Sequence, residues 1–171
     1  MSNTTPAPDA ADFAKLAELI QDVRVAMLTT FPDDGPPHVR PMYTQAVDPK
    51  AFDGTLWFMT DADSAKVHEL AKNHGVLVTY AAPDKNRYVV ARGTGTVERN
   101  PEKAKELWNV HAKGWYPGGP DDPTLRLIRV HVEMAEYWDG PSSAVYMLKL
   151  LKAVVTGSRI QTYGDHGQIG S

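Results

Sequence analysis

Thr60, Ser64 and Lys66 place two hydroxyls and an ammonium along one short segment. They fall where the apolar, β-prone run Thr55-Leu56-Trp57-Phe58-Met59 breaks at Asp61-Ala62-Asp63 and a helical pattern takes over, with Val67, Leu70 and Ala71 on one face. Backbone N–H groups are free where a helix begins. Joined by hydroxyls and a cation, they suit a single anion, above all a phosphate. The same residues also read as an ordinary helix cap followed by a solvated lysine. Arg40 offers a second phosphate-pairing cation. It belongs to Arg40-Pro41-Met42, where Pro41 cannot donate a ladder hydrogen bond and so predicts an edge or interrupted strand. Such an edge leaves backbone groups available to a heterocycle. Trp57, Phe58, Trp115, Tyr116, Tyr137 and Trp138 stand near strand ends or in loops and could meet a flat ring; they serve equally as core aromatics.

Other chemistries are poorly supplied. Cysteine is absent, which removes disulfides, thiol nucleophiles and thiolate metal sites and suits a reducing cytoplasm. His38, His68, His74, His111, His131 and His166 are scattered, with no spacing that sets two ligands on one helical face, so no metal is expected. There is no Gly-x-Ser-x-Gly elbow and no phosphate loop of the Walker type. Arg92-Gly93-Thr94-Gly95-Thr96 carries two glycines but lies in a strand pattern. Lys and Arg number 18 against 21 Asp and Glu, a net charge of −3 without a basic run, which argues against nucleic acid as a partner. No apolar run has the length of a membrane span. The expectation is a cytoplasmic protein with no membrane partner, and no catalytic residue can be named.

These residues need elements to position them. Residues 1–10 are polar, small and proline-bearing, and read as a disordered arm. Phe13, Leu16, Ala17, Leu19 and Ile20 recur at helical spacing. Val23 to Phe31 and Pro37 to Val47 form strands on either side of the turn Pro32-Asp33-Asp34-Gly35-Pro36, a predicted hairpin. A third strand and second helix follow, the helix ending at Asn73-His74-Gly75 with a C-terminal glycine signal. Val76 to Ala81 and Arg87 to Arg99 are strands, and Gly93 and Gly95 in the latter predict a bulge or close approach. A helix runs from Pro101 to about Lys113, with Ala104, Leu107, Trp108 and His111 on its inner face. After a Gly/Pro-rich loop, Thr124 to Tyr137 is a last long strand. A short apolar segment, Ala144 to Val155, precedes a flexible tail over 156–171, so one domain spans 11–155. Strands joined by short turns, with a few helices between, predict a small antiparallel barrel.

The runs Arg40-Pro41-Met42, Leu56-Trp57-Phe58-Met59-Thr60 with Ser64 and Lys66, and Glu136-Tyr137-Trp138-Asp139-Gly140 closely resemble the FMN-binding split-barrel superfamily. The branch is the general stress protein group related to pyridoxamine 5′-phosphate oxidase, whose Trp-Phe-Pro-Gly-Gly-Pro loop is similar to Trp115-Tyr116-Pro117-Gly118-Gly119-Pro120. The resemblance implies a mostly β fold: a six-stranded antiparallel split barrel with flanking helices, forming a homodimer with FMN at its interface. It implies flavin contacts for Arg40, Pro41, Met42, Trp57, Phe58, Met59 and Thr60, and a phosphate clamp of Ser64 and Lys66. Trp138 would reach the partner subunit's flavin, and Trp115 would stand at the same cleft. The clamp reads Ser-Ala-Lys where the oxidases have Ser-Arg-Lys, which implies a looser FMN site that also admits FAD. Nothing at the C-terminus matches the oxidases' Arg-Leu-His-Asp-Arg motif, which argues against oxidation of the vitamin phosphate. The expected function is therefore that of a flavin-binding protein of the general stress type, with flavin-dependent oxidoreduction as its candidate activity. The alternative is a non-catalytic module that binds or stores flavin.

Overall fold

The computed structural model describes residues 8–141, 143–157 and 164–170. Asp9 opens the first element. Its carboxylate accepts from the Asp12 N–H at 2.9 Å while Asp12 accepts from the Asp9 N–H, a reciprocal box that starts α1 (Ala10–Ile20). Leu16, Ala17, Leu19 and Ile20 turn inward from it. Of the arm read over residues 1–10, Ala10 is thus already helical, and residues 1–7 lie outside the described residues.

β1 (Val25–Thr30) and β2 (His38–Tyr43) form the predicted hairpin, in register from Val25 opposite Tyr43 to Thr30 opposite His38. β1 pairs on its other side with β4 (Gly75–Ala82), β4 with β5 (Arg87–Glu98), and β5 with β6 (Leu125–Asp139). β3 (Thr55–Asp61) adds to the first half of β6, giving the order β2-β1-β4-β5-β6-β3, antiparallel throughout. The sheet curls until its two ends meet at one bridge, Thr44 opposite Phe58, beside a Gln45 N–H to Trp57 carbonyl bond of 3.0 Å. Pro41 lies on the edge strand, as its missing N–H requires. Gly93 sits where the β5–β6 register shifts; a Cβ there would lie 1.9 Å from the His131 carbonyl oxygen, so the close approach is real.

Inside the curl, Leu28, Leu56, Phe58, Val78, Val89, Ile128 and Val132 are fully buried with the inner side of α1. Tyr80 joins them; burial pushes its hydroxyl well above the ordinary range, and it accepts from Thr44 Oγ1 at 3.2 Å. A smaller cluster of Ala104, Leu125 and Leu127 lies outside the barrel with Trp57, Met59, Leu107, Trp108 and Tyr116.

The structure differs from the sequence reading at four places. α2 (Ala65–Leu70) ends well before Gly75, which opens β4; the Asn73 side chain takes the Gly75 N–H at 3.0 Å, so no left-handed glycine stops the helix. The helix read over 101–113 is two, α3 (Pro101–Leu107) and α4 (Val110–Trp115). Trp108 is extended, and the Asn109 side chain accepts from the N–H groups of His111 and Ala112, starting the chain afresh. His111 consequently leaves the inner face and is exposed. The segment 144–155 belongs to a full helix, α5 (Ser143–Thr156), with Met147, Leu148, Leu151, Val154 and Val155 exposed.

The fourth difference is the tail read as flexible over 156–171. Within it, β7 (Asp165–Ile169) pairs with the end of β6, from Ala135 opposite Ile169 to Asp139 opposite Asp165. The cause is the length of β6: β3 covers its edge only as far as His131, and β7 occupies the remainder. Ile169 reaches the barrel core, and Gly167 lets the Tyr137 ring lie against the backbone, where a Cβ would come within 2.5 Å of its oxygen. The sheet thus has seven strands, one more than expected.

Candidate functional site

Where β2 and β3 part beyond their bridge, and α4 crosses above them, a cleft of about 380 Å³ opens. Its walls bring together seven of the residues singled out in the sequence: Pro41 and Met42 from β2, Met59 and Thr60 from β3, Lys66 from α2, and Trp115 and Tyr116 at the end of α4.

One end is polar. Lys66 Nζ donates to Thr60 Oγ1 at 3.0 Å, and that hydroxyl lies 3.1 Å from Ser64 Oγ. Ser64 stands at the N-cap of α2 but its side chain makes no cap bond. Its hydroxyl is thus turned to Thr60, and the plain-cap reading of this segment does not describe it. Burial lowers the Lys66 pKa, and the nearby Arg40 lowers it further against the pull of Glu69 and Asp61. Among the described residues Lys66 has no carboxylate at ion-pair distance.

Arg40 is arranged differently. Its Nη1 donates to Thr30 Oγ1 at 2.5 Å and its Nη2 to Glu69 Oε2 at 3.0 Å, behind the cleft wall. Glu69 also accepts from the Thr30 hydroxyl and lies 2.6 Å from His38 Nδ1. Burial alone would raise the Glu69 carboxyl, but the bonds from Thr30, His38 and Arg40 outweigh it and bring the pKa below the usual range.

The other end is aromatic. Tyr43 and His111 stack with centroids 4.5 Å apart and planes 30° from parallel. Trp115, 83% exposed, stands at the mouth. The Tyr116 hydroxyl is pushed up to about 12, by burial first and then by Asp61 and Asp122. Gln45 Oε1 accepts from Asn109 Nδ2 at 2.7 Å, tying the β2 side to the start of α4. Sequence reasoning passed over Tyr43, Gln45, Asp61 and His111 as site residues. Tyr43 and Gln45 follow the Arg-Pro-Met run directly and were within its reach; His111 was hidden by the break before α4.

Two expected contacts, Phe58 and Trp57, lie away from this cleft, and Trp138, expected at a partner subunit's flavin, lies outside it as well. Phe58 is wholly buried in the barrel core. Trp57 points to the opposite side of β3, with Lys103 Nζ 5.4 Å from its ring centre, in a neighbouring hollow beside Leu107. Trp138 stacks on His166 of β7 at 5.0 Å. Trp138 and Tyr88 are paired neighbours and partly exposed, as are Val25, Met27 and Val39 in the β1–β2 hairpin. Among the described residues no cluster of His, Asp and Glu could hold a metal, and no helix is long and apolar enough to cross a membrane.

A curled antiparallel sheet with a cleft at its seam, flanked by helices, is the architecture of split-barrel proteins. The chain belongs to the pyridoxamine 5′-phosphate oxidase-like family, whose model matches residues 11–161. Its fold is shared with general stress protein 26 of Jannaschia sp. CCS1, with a TM-score of 0.77 at 21% identity, covering 95% of this chain and 99% of that one. A general stress FMN/FAD binding protein from Xanthomonas citri is similar at 26% identity and a TM-score of 0.67, over 79% of this chain and 93% of that one. Among curated sequences, the pyridoxine/pyridoxamine 5′-phosphate oxidase of Pseudomonas putida is 29% identical over 69% of this chain and 53% of its own. Protein bli-3 of Neurospora crassa is 23% identical over 60% of this chain and 53% of its own. The chain spans about half the length of these two relatives.

Proposed function

We propose that this protein binds a flavin, FMN with FAD tolerated, in the cleft between β2, β3 and α4, and acts as a cytoplasmic flavin-dependent oxidoreductase of the general stress type. The observation that carries this reading is Lys66: a partly buried ammonium, without an ion-pair partner among the described residues, beside two converging hydroxyls in a cleft with an aromatic mouth. A phosphate monoester supplies the negative charge that such a group lacks. The donor set fits the group. Lys66, Thr60 and Ser64 would hold the phosphate with Arg40 behind them, and Pro41, Met42, Met59 and Trp115 would bound the ring. Family membership and the Xanthomonas citri relative, described as FMN/FAD binding, support the same assignment.

A bound flavin supplies electron transfer in one- or two-electron steps. The chain's own part is to hold the phosphate end in a desolvated corner and to leave the mouth open, with Trp115 exposed, for a redox partner. We further propose a homodimer. Val25, Met27, Val39, Tyr88 and Trp138 present apolar surface for it, and in such a dimer Trp138 would approach the second copy's cleft.

The test is spectroscopic. Addition of FMN is expected to shift the flavin absorbance band and raise Tm, and NADPH or NADH is expected to bleach the bound flavin. If saturating FMN changes neither spectrum nor Tm, the reading fails; binding without reduction by any nicotinamide donor leaves a flavin-storing module instead.

A further inference from the structure

Two cations stand near the polar end of the cleft, close enough for Arg40 to depress the Lys66 pKa, yet among the described residues only Arg40 has a carboxylate at ion-pair distance. That carboxylate is held from three directions. Thr30 on β1, Arg40 and His38 on β2 all bond to Glu69, whose side chain is 10% exposed. Glu69 and Lys66 are three residues apart on α2, so the same helix turn delivers a negative charge to Arg40 and a positive one to the cleft. Thr30 closes the arrangement, accepting from Arg40 and donating to Glu69. Such a network resists rearrangement, because moving Arg40 toward an incoming anion would strip a mostly buried carboxylate of its partner.

Resting on the flavin reading above, we propose that Glu69 is the built-in counter-ion of this cleft: it holds Arg40 back from the phosphate, leaves Lys66 as the cation that reads it, and thereby limits selectivity for the phosphorylated flavin. Glu69 is a positioning residue here, since it touches Arg40 and lies outside the cleft wall. Its negative charge lowers the potential felt by a phosphate dianion and leaves an uncharged ribityl chain unaffected.

The experiment compares FMN and riboflavin binding by the full chain and by Glu69→Gln, which keeps the shape and removes the charge. The FMN-over-riboflavin affinity ratio is expected to rise by roughly one to two orders of magnitude, the scale of one charge acting on a phosphate dianion across roughly 10 Å at an effective dielectric of about 20 to 40. In Arg40→Met the same Glu69→Gln change is expected to yield a smaller gain. Should Glu69→Gln not fold, Glu69→Asp, which draws the carboxylate back from Arg40, is expected to move the ratio the same way by a smaller factor. A folded variant in which the ratio is unchanged or lower overturns the inference while flavin binding stands. A wild-type protein that binds neither FMN nor riboflavin overturns both.

Discussion

The two ends of the cleft are built on opposite plans. At the polar end, Lys66, Thr60 and Ser64 are joined by side-chain hydrogen bonds, and Thr60 is only 4% exposed. At the mouth, rings do the lining, and Trp115 stands almost entirely in solvent. The first arrangement fixes donors before a ligand arrives and so favours charge recognition at little ordering cost. The second offers apolar area and access, at the cost of ordering a side chain on binding. On the flavin reading proposed above, affinity for the phosphate and openness to a redox partner would therefore be separable properties, located about different residues.

Substitutions can separate them. Lys66→Met is expected to weaken FMN by about 2 kcal/mol, roughly thirtyfold, the size of a lost charge-assisted hydrogen bond. Riboflavin should barely notice; equal losses for the two ligands would dissolve the distinction between the ends. Trp115→Ala is expected to cost about 1 kcal/mol against both ligands alike, without lowering the Tm of the free protein. A loss confined to FMN would place Trp115 with the phosphate instead. Asn109→Ala removes the cap of α4 and its tie to Gln45, and should lower stability by about 1 kcal/mol in a denaturant melt, loosening riboflavin along with FMN.

The smallest effect is on the free protein. Because folded Lys66 gives up its proton before an unfolded lysine does, the folded chain binds fewer protons there, and stability should climb as pH rises toward the ordinary lysine value of 10.5. Lys66→Met lacks that climb, so Tm measured against pH in both proteins shows it as a difference in slope. At neutral pH the variant without ligand should be slightly the more stable, the usual sign of a group kept for binding.

What could be read from the sequence was local. The Pro32-to-Pro36 turn, the proline on an edge strand and the glycine at the β5 bulge each express a constraint of one residue's own backbone, and each stands where expected. The side of β3 that faces the cleft was less legible. Alternation puts Phe58 into the barrel and Trp57 beneath α3, and only the pairing of β3 with β6, far away in the chain, settles which face is which. β7 was invisible for a similar reason: Asp165-His166-Gly167-Gln168-Ile169 has little strand character of its own and forms because β6 leaves an edge to fill. His111 became legible only once the Asn109 cap divided its helix and set its ring against Tyr43.

The closure of the barrel carries one more consequence. β1, β4, β5 and β6 are joined by full ladders, whereas β2 meets β3 at a single bridge and one adjoining backbone bond. A cylinder laced along every seam but one parts at that seam first. The amide of Gln45, whose bond to the Trp57 carbonyl crosses that seam, should accordingly exchange its proton sooner than those of the β4–β5 ladder. A molecule lodged across β2 and β3 would act as the missing stitch, so its arrival should be legible in the exchange of the barrel itself, with no chemistry taking place.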